Sequence, residues 1–147
     1  MDELEKILEG NNIKPTAMRL LVLQLMLSKN IAISLTDLEN YFEKSDRTTL
    51  YRTLKTFVKK EIAHKIDDGT GVTKYALCKE NCHCLIDSDL HLHFHCTHCN
   101  ETICMTHYTI PPINLPEGYV AEFINFVVHG ICDKCSESVK KKSKDSI

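Results

Sequence analysis

Apolar residues recur at helical spacing along the first sixty or so positions and then change to an alternating period. Leu4, Ile7 and Leu8 fall three and four apart in an acidic segment closed by Gly10-Asn11-Asn12, which predicts a short first helix. Pro15-Thr16 opens a second. Between Ala17 and Ser28, Met18, Leu20 to Leu23 and Leu25 to Leu27 are apolar nearly all round, as in a helix buried at the centre of a small bundle. Ser34 caps a third helix, with Asp37 completing an acidic capping box; Leu35, Leu38, Tyr41 and Phe42 form its inner face, and it runs to about Lys44. Ser45 or Asp46 caps a fourth helix, Arg47 to Lys60, whose inner stripe is Leu50, Leu54, Phe57 and Val58.

Beyond this point the period is that of strands. Ile62-Ala63-His64-Lys65-Ile66 and Val72-Thr73-Lys74-Tyr75-Ala76-Leu77 flank the turn Asp68-Gly69-Thr70-Gly71, predicting a hairpin. Helices followed by a hairpin match a winged helix-turn-helix, in which the second helix of the pair enters the DNA major groove. Here that helix is Arg47 to Lys60, presenting Arg47, Thr48, Thr49, Tyr51 and Arg52 near its N-terminal end. Charge supports the assignment locally: Lys44, Arg47, Arg52, Lys55, Lys59 and Lys60 stand against the single anion Asp46, with Thr48, Thr49, Tyr51, Thr53 and Thr56 interleaved. A solvated basic face on a structural helix is the other reading. The net charge of -2 supplies no global field for nucleic acid.

The distribution of sulfur and imidazole divides the chain. All eight Cys and all eight His lie between His64 and Cys135. No apolar run is long enough to span a membrane, and the start lacks the basic and apolar regions of a signal peptide, so a cytoplasmic location is expected. In a reducing compartment the thiols read as metal ligands or redox groups rather than disulfides. Cys96-Thr97-His98-Cys99 and Cys132-Asp133-Lys134-Cys135 are two pairs that can each grip one Zn²⁺ from a tight turn, together closing a tetrahedral structural site. Paired redox thiols are the alternative. The 32 residues between the pairs carry β character at Thr102 to Met105 and Val120 to Val128, separated by turns at Pro111-Pro112 and Pro116-Glu117-Gly118. The lysine-rich stretch 140–144 reads as a frayed helix end.

His91-Leu92-His93-Phe94-His95 alternates, so on a strand its three imidazoles share one face. With Cys78, Cys82, His83, Cys84 and Cys104 also nearby in sequence, a second metal site is expected. Its mixed nitrogen and sulfur donors favour Zn²⁺ over Fe²⁺ or Mn²⁺, which want more carboxylate. A zinc hydrolase or deaminase is a competing reading, but no His-x-Glu or His-Glu-x-x-His arrangement provides a general base. A zinc-stabilised interaction module is a third, disfavoured by the basic helix and the wing.

Several motifs, in order, resemble the ferric uptake regulator (Fur) superfamily of metal-responsive repressors, and within it the zinc-sensing branch. They are Ile13-Lys14-Pro15-Thr16 followed by Arg19, Thr49-Leu50-Tyr51-Arg52-Thr53-Leu54, His91-x-His93-x-x-Cys96-x-x-Cys99, and the distal Cys132-x-x-Cys135. The resemblance implies an α+β chain: a winged-helix DNA-binding domain over 1–78, a hinge over 79–90, and an α/β dimerisation domain with structural zinc over 91–147. It also implies a homodimer on double-stranded palindromic operator DNA, away from membranes, with Lys14 and Arg19 joining Tyr51, Arg52, Thr49 and Arg47 as DNA contacts. Carried over by position, the regulatory metal ligands are His64, Cys78, His91 and His93, with Cys104, Cys82, Cys84 and His95 as further candidates. Ala32, Ala76 and Cys104 stand where iron- and peroxide-sensing members have imidazole or carboxylate ligands, and Leu90 and Leu92 replace ligands of a third site. These departures favour zinc as the sensed metal over an iron or peroxide response.

Overall fold

The computed structural model describes residues 2–77, 91–109, 113–122 and 126–138. Helices α1 (Glu3–Gly10), α2 (Ala17–Lys29), α3 (Leu35–Tyr41) and α4 (Arg47–Lys59) build the first half, with the short strand β1 (Ile33–Ser34) between α2 and α3. Strands β2 (Ala63–Asp67) and β3 (Thr73–Leu77) follow as an antiparallel hairpin, and β1 pairs with the other edge of β3. This is a winged helix: α3 and α4 form the helix-turn-helix, and the hairpin is the wing.

Local chemistry explains where the helices start and stop. Thr16 caps α2, its hydroxyl accepting from the Arg19 amide at 3.3 Å, and Asn30 ends it in the left-handed region with φ of 53°. The capping box of α3 is reciprocal: Asp37 N donates to Ser34 Oγ at 3.1 Å and Ser34 N donates to Asp37 Oδ2 at 2.9 Å. Leu8, Val22, Leu23, Leu38, Leu50, Leu54 and Phe57 bury their side chains in one shared core, each worth on the order of 1.5–3 kcal/mol in apolar transfer.

Four sequence expectations need correction. Helix α3 ends at Tyr41 and not near Lys44, because Phe42 takes a ψ of 70° and the chain turns out of the helix there. Helix α2 is not buried all round: Val22, Leu23, Leu25 and Met26 face the core, whereas Leu21 and Leu27 remain about half exposed. Thr53 belongs to the buried side of α4 rather than its basic face, its hydroxyl donating back to Thr49 O. The strand expected over Val120 to Val128 is β6 (Val127–Gly130), and Val120 is largely exposed with no strand partner among the described residues. β propensity does not choose an edge to pair with; the partner does.

In the second half, β4 (His91–Cys96) is the central strand. It pairs antiparallel with β5 (Thr102–Thr109) on one side and parallel with β6 on the other, and a helical turn over 133–138 follows. The two halves touch through the backbone, where Ala32 N donates to Thr102 O at 2.8 Å. Phe57→Ala should destabilise the first half by about 3–5 kcal/mol and Ser34→Ala by about 1 kcal/mol, both measurable by urea titration.

Candidate metal centres and the DNA-facing helix

Cys96 ends β4, and the chain turns back at 97–99 into β5. The turn is locked by Asn100 N donating to Cys96 O at 2.9 Å, with Asn100 itself at a φ of 63°. Cys132 arrives just after β6, whose parallel register sets Gly130 beside Cys96. The two turns are stitched by Thr97, whose amide and hydroxyl both donate to Gly130 O, at 2.8 and 3.1 Å. The fit at Gly130 is close: a Cβ would stand 3.3 Å from Phe94 Cζ, so that ring would have to give by a few tenths of an ångström.

The result brings the sulfurs of Cys96, Cys99, Cys132 and Cys135 within 4.8 Å of one another, with Cys99 and Cys132 Sγ 3.9 Å apart. A zinc tetrahedron with Zn–S bonds of ~2.3 Å has edges of about 3.8 Å, so the donor set fits that ion. The backbone favours charge at one corner. The amides of Cys99, Cys132 and His98 each lie 3.4 Å from Cys96 Sγ, and led by Cys99 they outweigh burial and bring its pKa down to about 6. Burial, followed by the neighbouring sulfurs, pushes Cys135 up to about 12. Four thiolates therefore coexist here only around a cation.

A second cluster joins the two halves. His93 on β4 and Cys104 on β5 are cross-strand partners, and His64 reaches them from β2 of the wing. The Nε2 atoms of His64 and His93 are 3.4 Å apart, and one ring nitrogen of each and Cys104 Sγ all lie within 4.8 Å of one another. Two imidazoles on one zinc at ~2.05 Å are separated by about 3.3 Å in a tetrahedron. Cys104, a secondary candidate from sequence, is thus a member of this group. Cys78, Cys82 and Cys84 lie outside the described residues, as does the side chain of His91.

His95 is not brought into this group, although it shares a strand face with His93. Its Nδ1 lies 2.8 Å from Thr102 Oγ1 and 3.3 Å from Asp68 Oδ2, and its ring stacks edge-on against His129. Asp68, at the wing turn, is fully buried, and its Oδ2 accepts from Lys74 Nζ and Thr102 Oγ1, both at 2.6 Å. Burial alone favours the neutral acid, but the bonds from Lys74, Thr102 and Thr70 prevail and hold the carboxyl well below its usual range. The Thr102 proton goes to Asp68, so its lone pairs accept from Lys74 Nζ at 3.0 Å and from His95 Nδ1. Sequence reading missed this network because Asp68, Lys74 and Thr102 carry no motif, and the strand alternation offers His95 only as a metal ligand.

On α4 the side chains of Arg47, Thr48, Thr49, Tyr51, Arg52 and Lys55 are exposed along the face opposite Leu50, Leu54 and Phe57. Arg47 is paired with Glu39 of α3, which anchors it to the helix-turn-helix. The Arg19 guanidinium donates to Lys14 O at 2.8 Å, bracing the loop before α2 while the Lys14 side chain stays exposed.

Residues 10–115 match the model of the ferric uptake regulator family. The chain belongs to that family. It is accordingly a metal-responsive, DNA-binding transcriptional regulator that acts as a homodimer, and not an enzyme. No functionally curated protein matches it by sequence. Among solved structures it is similar to a zinc uptake regulator complexed with zinc and DNA, at 24% identity over 92% of each chain and a TM-score of 0.60. It is also similar to the Vibrio cholerae ferric uptake regulator, at 17% identity over 87% of this chain and 98% of that one with a TM-score of 0.60. A third is a zinc-bound manganese uptake regulator, at 16% identity over 89% and 99% with a TM-score of 0.58. At such identities these Fur-family structures establish the shared fold. Among the described residues no helix is long and apolar enough to cross a membrane.

Cys132→Ser should remove one tightly held zinc per chain by metal analysis. Structural zinc binding is worth on the order of 10–16 kcal/mol, so the 91–138 sheet should lose its circular-dichroism signature together with the metal.

Proposed function

We propose that this chain is a zinc-responsive repressor of metal-homeostasis genes, working in the cytoplasm as a dimer on a palindromic operator. The observation that carries the reading is the 3.4 Å approach of His64 Nε2 to His93 Nε2, with Cys104 in the same cluster. One donor comes from the DNA-binding half and two come from the C-terminal sheet. A metal bonded to all three sets the angle between the wing and that sheet, and through the dimer the spacing of the two recognition helices. Cys78 or His91 would supply the fourth ligand.

The donor chemistry favours zinc. Sulfur and imidazole suit Zn²⁺, whereas Fe²⁺ and Mn²⁺ want carboxylates. The family positions that would supply further ligands are closed: Ala32 and Ala76 are buried with Ile66 in a small apolar cluster. Zinc need only favour the DNA-competent arrangement over the open one, and by linkage operator DNA then tightens zinc binding. The exposed apolar residues Tyr108, Ile113, Leu115, Tyr119 and Val120 of the C-terminal half are those a second copy would cover.

The four-thiolate zinc is then scaffolding, and Tyr51 and Arg52 are the base-reading candidates, with Thr49 beside them and Arg47, Lys14 and Arg19 at the backbone. Operator selection at fixed salt, followed by gel shifts across a zinc titration, tests the reading. His93→Ala should abolish the zinc response while the dimer and one zinc per chain remain; undiminished zinc-dependent binding by that variant would refute the regulatory site. Arg52→Ala should cost about 1–3 kcal/mol on the operator and little on random DNA. Equal losses on both would remove Arg52 from sequence reading.

A further inference from the structure

The Asp68 network crosses between the halves and belongs to neither ligand cluster. Asp68 and Lys74 come from the wing, Thr102 and His95 from the C-terminal sheet, and all four are buried. An ionised carboxylate in such a place is costly unless every lone pair is matched. Here Oδ1 accepts from the Thr70 amide and hydroxyl at 3.1 and 2.5 Å, and Oδ2 takes Lys74 and Thr102. Lys74 Nζ also donates to Asn100 O at 3.3 Å, so the wing is bonded to the turn that follows Cys99. Gly69, at a φ of 83°, lies close enough to His129 that a Cβ would stand 3.2 Å from its Nε2. The wing tip is therefore fitted to the sheet as well as bonded to it.

Geometry gives this contact a consequence for the metal. Asp68 follows His64 by four residues along an extended strand, a span of about 13 Å. A metal held at His64 alone is a pivot about which the wing can still swing. A second attachment at Asp68 turns the pivot into a fixed angle. Hydrogen bonds suit that task because they are directional, while apolar contact tolerates sliding.

We propose that Asp68 is a positioning residue for the metal response: its clasp on Thr102 and His95 presents His64 to His93 and Cys104, so that the metal closes a preset angle. The proposal rests on reading those three residues as the regulatory site. It also assigns the four-thiolate turn a role beyond folding, since Asn100 and Thr102 are set in place by Cys96 and Cys99. If losing the clasp leaves the docked arrangement populated one time in ten, apparent zinc affinity falls about tenfold with no ligand altered.

The test uses the full chain carrying its structural zinc. Affinity for the second zinc is measured by competition with a chromophoric chelator, and docking by hydrogen exchange at the Ala32 amide, which donates to Thr102 O. Asp68→Asn should keep one zinc per chain, bind the second roughly tenfold or more weakly, and exchange the Ala32 amide faster before the second zinc is added. Thr102→Val should behave likewise, and Thr102→Ser, which keeps the hydroxyl, like the parent. Unchanged second-zinc affinity in Asp68→Asn overturns the proposal, even if exchange at Ala32 quickens. Should Asp68→Asn fail to hold the structural zinc, the pair at Thr102 decides: weaker binding in Val than in Ser supports the clasp, and equal binding overturns it. His93→Ala, run alongside, separates the two ideas, because retention of the second zinc there removes the regulatory site itself rather than the clasp.

Discussion

Four sulfurs within 4.8 Å of one another cannot all ionise unless a cation sits among them, and the placement of nearly everything functional in the second half follows from that constraint. Pulling Cys132 and Cys135 onto Cys96 and Cys99 carries β6 to the edge of β4, in the register that sets Gly130 beside Cys96. The same turn reverses the chain from β4 into β5, which brings Cys104 opposite His93. It also fixes Asn100 and Thr102, two of the groups that receive the wing. The metal reinforces a short third strand, since β6 is only four residues long and Val128 is half exposed, beyond what its ladder with β4 and the Thr97 bonds to Gly130 O supply.

The wing meets this sheet at two places with different chemistry. At His64 the partners are soft donors that suit a metal, and at Asp68 they are the Thr102 hydroxyl and the His95 imidazole, which join the wing's own Lys74 ammonium around a buried carboxylate. On the proposed reading, one contact depends on the metal supply and the other does not. That division of labour would suit a sensor: the protein would supply most of the docking geometry, and the metal the increment that decides between two arrangements. A site made rigid by the metal alone would need a much larger differential affinity to do the same work.

Much of this was legible in the sequence because it is local. The stripe Leu50, Leu54, Phe57 needs only the helical period, the box at Ser34 and Asp37 only three residues, and the two Cys-x-x-Cys turns only the bite of one zinc. The end of α3, the exposed flank of α2 and the placement of β6 were not, since each depends on what the neighbouring element covers.

His93 and His95 make the difference concrete. Strand alternation determined that both imidazoles share a face of β4, and nothing in their spacing separates their roles. The docked wing decided it: His64 lies over His93 and Asp68 over His95, so one ring faces metal donors and the other a carboxylate. Cys104 entered the metal cluster for the same reason, as the residue β5 sets opposite His93. The sequence by itself determined which residues can bind a metal, because that is a property of their atoms. Only the tertiary structure decided which of them meet, because the contacts join positions 29 residues apart for His64 and His93 and 34 apart for Asp68 and Thr102, beyond the reach of any local pattern.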